Sequence, residues 1–296
     1  MRDGLQNLQR HVPLEGKLQL AQAIVAAGMR AIEATSFVSP KAVPQMADAD
    51  QLFPRLPGRD RVSYSALVPN VRGLERAIAA SVPEIAVVLS ATETMNQRNI
   101  NMSLAATRAA CSDTLVAAAK RQLRGKAYIA VAFGCPFEGA VAPATVLDLA
   151  KEMFDAGAAE VVIADTIGAA NPAQVKNLLQ QCAKKFGTER LSAHFHDTRG
   201  FALANVWAAI ETGVRKFDSS LGGLGGCPFA PGAAGNLATE DVVLMAEQCG
   251  FSTGLDIRQL RAAIALAERL VGQQLGGRTS RWLRAEDEKA APSGAS

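Results

Sequence analysis

The chain has 296 residues, 49% of them hydrophobic, which is ample for a core and excludes wholesale disorder. Its 31 basic and 28 acidic residues give a net charge of +3 and are scattered without the basic runs of a nucleic-acid footprint, so nucleic acid is not an expected partner. No apolar run approaches the roughly 18 to 20 residues of a membrane span, no charged leader with an apolar segment opens the chain, and the five widely spaced cysteines lack a CxxC pair, a pattern of free thiols that points to a cytoplasmic protein.

The opening "MRDGLQN" puts arginine, aspartate and glycine ahead of any strand. Arg2 and Asp3 suit a loop at the end of a strand, yet only Met1 stands before them. Next, "LEGKLQLAQAIVAAG" has the apolar spacing of an amphipathic helix closing on Gly28, and "AIEATSF" follows as a short strand. The same pattern recurs: a helix ends in a small residue and a β-rich stretch begins a few residues later, with turns at or near Gly28, Gly58, Ser81, Gly125, Gly157, Gly187 and Gly213. Glycine suits these turns because an abrupt helix stop often uses a left-handed residue, which glycine adopts without steric penalty. Strands are expected at 31–37, 61–69, 84–92, 126–133, 160–165, 191–196 and 216–221.

Strands alternating with helices predict parallel pairing with helices outside. The expected fold class is α/β, a TIM (β/α)8-type barrel of about 250 residues. Its first strand, which would lead into Arg2 and Asp3, is missing from the sequence. The strands at 31–37 and 216–221 would then carry unpaired edges, the true start is expected upstream, and Arg2 and Asp3 would hang loosely from a free terminus. Helices at 238–249 and 256–275 follow the last strand, so residues 1–275 read as one catalytic domain and 276–296 as a frayed, disordered tail.

In such a barrel the working residues stand at the carboxyl ends of the strands. In "LSAHFHDTRG" two of the three histidines, His194 and His196, lie two apart at a strand end, where alternation points both to one side. Two inward imidazoles make a metal clamp. Hard divalent ions also want oxygen ligands, and Asp3 and Asn236 are the candidates, although an asparagine before a helix is commonly an N-cap. That donor set suits Mg²⁺ or Mn²⁺ better than structural zinc. Glu33 sits in an otherwise apolar strand, where an unpartnered carboxylate would be costly. Arg2 is the nearest predicted cation, and either a structural or a functional ion pair explains it. Asp165, in "VVIADTIG", ends a strand in the same way. The glycine-rich "SSLGGLGGCPFAPGAAGN" lacks the dinucleotide fingerprint. It reads as a mobile lid carrying Cys227, whose thiol is a competent proton donor. His11 reads as a surface residue.

The motifs "RDGLQN", "EATSFVSPKAVPQM", "GCPFEG", "DTIG", "HFHDT" and "GLGGCPFAPGAAGNLATED" resemble, from Arg2 to about Leu275, those of the 3-hydroxy-3-methylglutaryl-CoA lyase family. Arg-Asp-Gly-x-Gln and His-x-His are shared with isopropylmalate and homocitrate synthases, whereas the Cys227 loop resembles the lyase branch in particular. The resemblance implies that Asp3, His194, His196 and Asn236 hold a divalent cation, usually Mg²⁺ or Mn²⁺. It implies that Arg2 stabilises the enolate of the departing acetyl-CoA, with Glu33 as a supporting acid. Cys227 would be the loop thiol in proton transfer and Asp165 a further active-site acid. The implied reaction cleaves 3-hydroxy-3-methylglutaryl-CoA into acetoacetate and acetyl-CoA, the base being His196, Asp3, Glu33 or Asp165. An acyl-CoA is thus the expected partner, and a homodimer is expected for the fold. Competing readings are an enzyme for another 3-hydroxyacyl-CoA, such as citramalyl-CoA or a longer branched analogue, and an inactive scaffold. The family's lysine shortly after "RDGLQN" is replaced here by Gln9.

Overall fold

The computed structural model describes residues 1–226 and 235–290; Cys227 therefore lies outside the described residues. All seven expected strands form: β1 (Ala31–Ser36), β2 (Ser63–Leu67), β3 (Glu84–Ser90), β4 (Arg124–Ala130), β7 (Glu160–Asp165), β8 (Leu191–Phe195) and β9 (Phe217–Asp218). They make one parallel sheet in the order β1-β2-β3-β4-β7-β8-β9, with a two-residue hairpin, β5 (Gly134–Cys135) and β6 (Gly139–Ala140), beside it. Strand β7 is buried along its whole length, as expected of a parallel strand covered on both faces.

The covering helices alternate with the strands. α2 (Leu14–Ala26) precedes β1, the short α3 (Ala49–Leu52) lies between β1 and β2, α4 (Val71–Ala79) precedes β3, α5 (Glu93–Ile100) and α6 (Leu104–Lys120) follow it, and α7 (Pro143–Asp155), α8 (Pro172–Phe186) and α9 (Ala202–Glu211) come in turn. Curling of the sheet is visible in one bond: Tyr128 on β4 donates to Asp218 on β9 at 2.8 Å, although two strands stand between them in the sheet order. Side chains from opposite walls thus meet inside, as in a TIM-type barrel. The floor of this interior is polar. Lys126 pairs with Glu84 at 2.7 Å, Lys216 with Glu160 at 2.7 Å, and Ser192 donates to Glu160.

Strands β1 and β9 end the ladder, as the seven-strand count predicts, but the helical ring is closed. α10 (Thr239–Gln248) packs on α9 and on α11 (Ile257–Val271), and α11 packs on α2. No described helix is long and apolar enough to cross a membrane.

Three expectations need correction. The chain start does not hang free: Arg2–Gln6 form a short helix, α1, whose Leu5 is in the core and whose Arg2 is buried. At the fourth turn the left-handed residue is Gln122 (φ 59°), while Gly125 lies inside β4. A Cβ at Gly125 would stand 2.6 Å from Leu115 of α6, so glycine is there for close packing and not for the turn. Finally, the stretch read as a frayed tail from 276 contains α12 (Arg278–Ala290). Its start is tied down from a distance, because Asp241 accepts from the backbone N–H of Arg278 (2.9 Å) and Thr279 (2.8 Å). Buried Glu240 accepts from the N–H of Gly277 (2.7 Å), from the Ser280 hydroxyl (2.8 Å) and from the N–H of Gly222 (3.0 Å).

Glu240 therefore joins α12 to the glycine-rich segment after β9. Glu240→Ala orphans three donors at about 1–3 kcal/mol each, so a loss of about 3 kcal/mol or more is expected in urea unfolding, with Glu240→Gln losing less.

Candidate metal and catalytic site

The site grows from strand alternation. His194 and His196 leave the end of β8 on one face, their ring centroids 5.0 Å apart. From Gly235 the chain runs as a short extended stretch beside β8. His196 and Asn236 form an isolated antiparallel bridge, Leu237 N–H donates to the Phe195 carbonyl (3.0 Å), and Ser220 N–H donates to the Leu237 carbonyl (3.0 Å). This return places Asn236 at the barrel mouth. It needs Gly235, whose φ is 92° and where a Cβ would meet the Gly223 carbonyl oxygen at 2.1 Å. Asn236 is not an N-cap; Ala238 occupies that position of α10.

Asp3 reaches the same point from α1. One of its oxygens accepts from Arg2 Nη1 (2.7 Å) and Gln6 Nε2 (3.1 Å), and the other accepts from Asn236 Nδ2 (2.7 Å). Arg2 Nε donates in turn to Glu33 Oε1. The structure thus pairs Glu33 with Arg2, the partner expected for it. One ligand atom each from Asp3, His194 and His196 lie within 4.8 Å of one another. The Asn236 amide is turned by its two donated bonds, to Asp3 and to the Leu224 carbonyl (3.0 Å), so that Oδ1 is free.

Buried polar atoms are normally hydrogen-bonded, and three of the five exceptions among the described residues belong to this group: His196 Nδ1, Asn236 Oδ1 and Glu33 Oε2 have no protein partner. Electrostatics prepares the same groups for a cation. Burial opposes ionisation of Asp3, yet Arg2, His194 and His196 outweigh it and hold the carboxyl well below the usual range. Burial, then the neighbouring His194, push His196 down to about 3, keeping its ring neutral and one ring lone pair available. Burial also opposes the charged form of His194, but Asp218 and then Asp3 raise its pKa. Two imidazole nitrogens, an ionised carboxylate and an amide oxygen fit a divalent cation of oxygen-and-nitrogen preference.

Not every expected residue joins this group. Asp165 is fully buried at the end of β7, where it accepts from the backbone N–H of Ala169 (2.7 Å) and Ala170 (3.1 Å) and so closes the following turn. Burial pushes its carboxyl up to about 6 against those two bonds. Cys227 lies outside the described residues. His11 is exposed, as expected. Two participants were missed by sequence reasoning: Tyr128 and Asp218, which meet His194 inside the barrel. The signal was available, since Tyr128 is one of only two tyrosines and Asp218 is an acid in a predicted strand.

These side chains line a cavity of ≈ 850 Å³ that contains Arg2, Asp3, Glu33, His194 and Asn236. A smaller one of ≈ 470 Å³ lies over the ends of β4, β7 and β8, lined by Phe133, Ile167, Thr198 and Arg199 among others.

Known proteins resemble this chain over nearly its whole length. The HMGL-like family model matches residues 1–267. A hydroxymethylglutaryl-CoA lyase from Pseudomonas mevalonii is 43% identical over 275 residues, covering 93% of this chain and 90% of the relative. A 3-hydroxy-3-isohexenylglutaryl-CoA/hydroxy-methylglutaryl-CoA lyase from Pseudomonas aeruginosa is 41% identical, covering 96% and 95%. The crystal structure of hydroxymethylglutaryl-CoA lyase from Pseudomonas aeruginosa superposes with a TM-score of 0.93 at 41% identity, covering 96% of this chain and 95% of that one. The sheet order, the mouth geometry and these matches agree: the chain belongs to the HMGL-like family.

Proposed function

We propose that this protein is a divalent-metal-dependent carbon–carbon lyase that cleaves 3-hydroxy-3-methylglutaryl-CoA into acetoacetate and acetyl-CoA. The observation that carries the reading is the convergence of Asp3, His194 and His196 within 4.8 Å beside the unpartnered Asn236 Oδ1, in a chain 43% identical to a lyase of that name. These four residues would hold the cation, Mg²⁺ or Mn²⁺, which supplies Lewis acidity to the substrate's hydroxyl and carboxylate oxygens.

The chain's own groups do the rest. Arg2, charged and buried, offers a fixed guanidinium where a thioester enolate gains its negative charge. Glu33 and Asp3 hold that guanidinium by two separate bonds, so its position is set before substrate arrives. Removal of the hydroxyl proton needs an acceptor near neutral pH. Glu33 has the unpartnered buried oxygen at the cavity wall, whereas Asp165, raised to about 6, has the matching proton affinity but must act from outside the group, with both oxygens held by backbone N–H groups. Cys227, nine positions before Asn236 in the sequence, supplies the proton to the new methyl carbon in this reading.

A second substrate reading rests on the Pseudomonas aeruginosa relative, named for a longer branched acyl-CoA as well. Both substrates can be compared directly.

Purified protein with Mg²⁺ or Mn²⁺ is expected to release acetoacetate from 3-hydroxy-3-methylglutaryl-CoA and to stop when the metal is chelated. His194→Ala should be inactive, and Cys227→Ser should lose about 10²–10⁴ in kcat, the usual contribution of a positioned proton donor. Release only from the isohexenyl analogue would move the substrate assignment. Asp165 gives a separate test of stability. Its folded pKa is raised from 3.8 to about 6, so it contributes stability that is complete below pH 3.8 and lost as pH rises through 6. The difference in unfolding free energy between wild type and Asp165→Asn should therefore fall by about 3 kcal/mol from pH 3.8 to above pH 6, as read by urea denaturation across that range.

A further inference from the structure

We propose that Asp218 and Tyr128 act as positioning residues, fixing which nitrogen His194 turns towards the cation. The inference rests on the metal reading above. His194 and Asp218 are direct register partners on neighbouring parallel strands, so both side chains project to the same interior face. Asp218 Oδ2 lies 3.3 Å from His194 Nδ1. Tyr128, on the opposite wall, donates its hydroxyl to the same oxygen at 2.8 Å. Its ring also meets the His194 ring edge-on, with centroids 6.4 Å apart and planes at 78°. The imidazole is thus held at one nitrogen by a carboxylate and along one side by an aromatic ring.

The consequence is chemical. A carboxylate beside Nδ1 favours the tautomer with its proton on Nδ1, which leaves the Nε2 lone pair for the metal. Asp218 itself is not among the residues whose ligand atoms converge, so its part is to orient and not to coordinate. The two histidines are therefore held differently. His196 has no partner at Nδ1, and its place is set by the backbone bridge to Asn236. Tyr128 is nearly fully buried, and its hydroxyl bond to Oδ2 restrains the Asp218 rotamer in turn.

The test uses the full chain with Mn²⁺ as the probe, read by electron paramagnetic resonance, and ¹⁵N-histidine spectra of the metal-free protein at alkaline pH. Asp218→Asn is expected to weaken Mn²⁺ binding about 10- to 100-fold, and Tyr128→Phe, the milder change, several-fold. In wild type the His194 proton should sit on Nδ1, and in Asp218→Asn that preference should fade, an effect that a loss of packing alone would not produce. An Nε2–H tautomer in wild type, or wild-type Mn²⁺ affinity in both folded variants, would overturn the assignment. Wild type that binds no Mn²⁺ would instead overturn the metal reading on which it rests, while the tautomer spectra would still report whether Asp218 holds the ring.

Discussion

The arrangement depends first on one buried cation. Arg2 bonds Glu33 on β1 through one nitrogen and Asp3 through another, and Asp3 passes the connection to Asn236. Burying a charge without partners is prohibitive, and here the partners are also the groups that need placing. The guanidinium thus ties α1 to the first strand of the ladder and turns Asp3 towards the histidines. Replacing it with lysine would keep the charge but lose the fork that meets two carboxylates at once.

Around that clamp the barrel supplies two independent controls. Strand alternation puts His194, His196 and Asp218 on the inner face, because period-two geometry leaves no other choice. The return of the chain through Gly235 adds Asn236 at the same height, and the fit leaves no room for a Cβ. The ladder ends at β1 and β9, yet the helices α9, α10, α11 and α2 continue the outer ring past those edges. Glu240 then links the glycine-rich segment to α12, so the mouth of the barrel and the carboxyl-terminal helix share one buried acceptor.

Much of this was legible in the sequence, and the reasons differ by residue. The strands and the His-x-His pair were readable because both rest on local periodicity. Asp3 and Asn236 were only candidates, since their meeting spans 233 positions of the chain and depends on a return stretch with no strand signal of its own. Gly125 was misread as a turn because glycine serves both for left-handed backbone and for close packing; the latter applies there. The helix from Arg278 was read as a tail because its capping acids lie 37 residues or so upstream. Asp218 and Tyr128 escaped because a single acid or tyrosine in a strand gains meaning only when the sheet curls and brings β4 opposite β9.

Whether four residues from three separate parts of the chain hold one metal ion can be read from anomalous diffraction by crystals grown with Mn²⁺. A single strong peak bonded to Asp3, His194, His196 and Asn236 is expected, with Arg2 and Glu33 paired beside it. A folded protein that binds Mn²⁺ elsewhere, or that shows no Mn²⁺ at the two histidines, would contradict it.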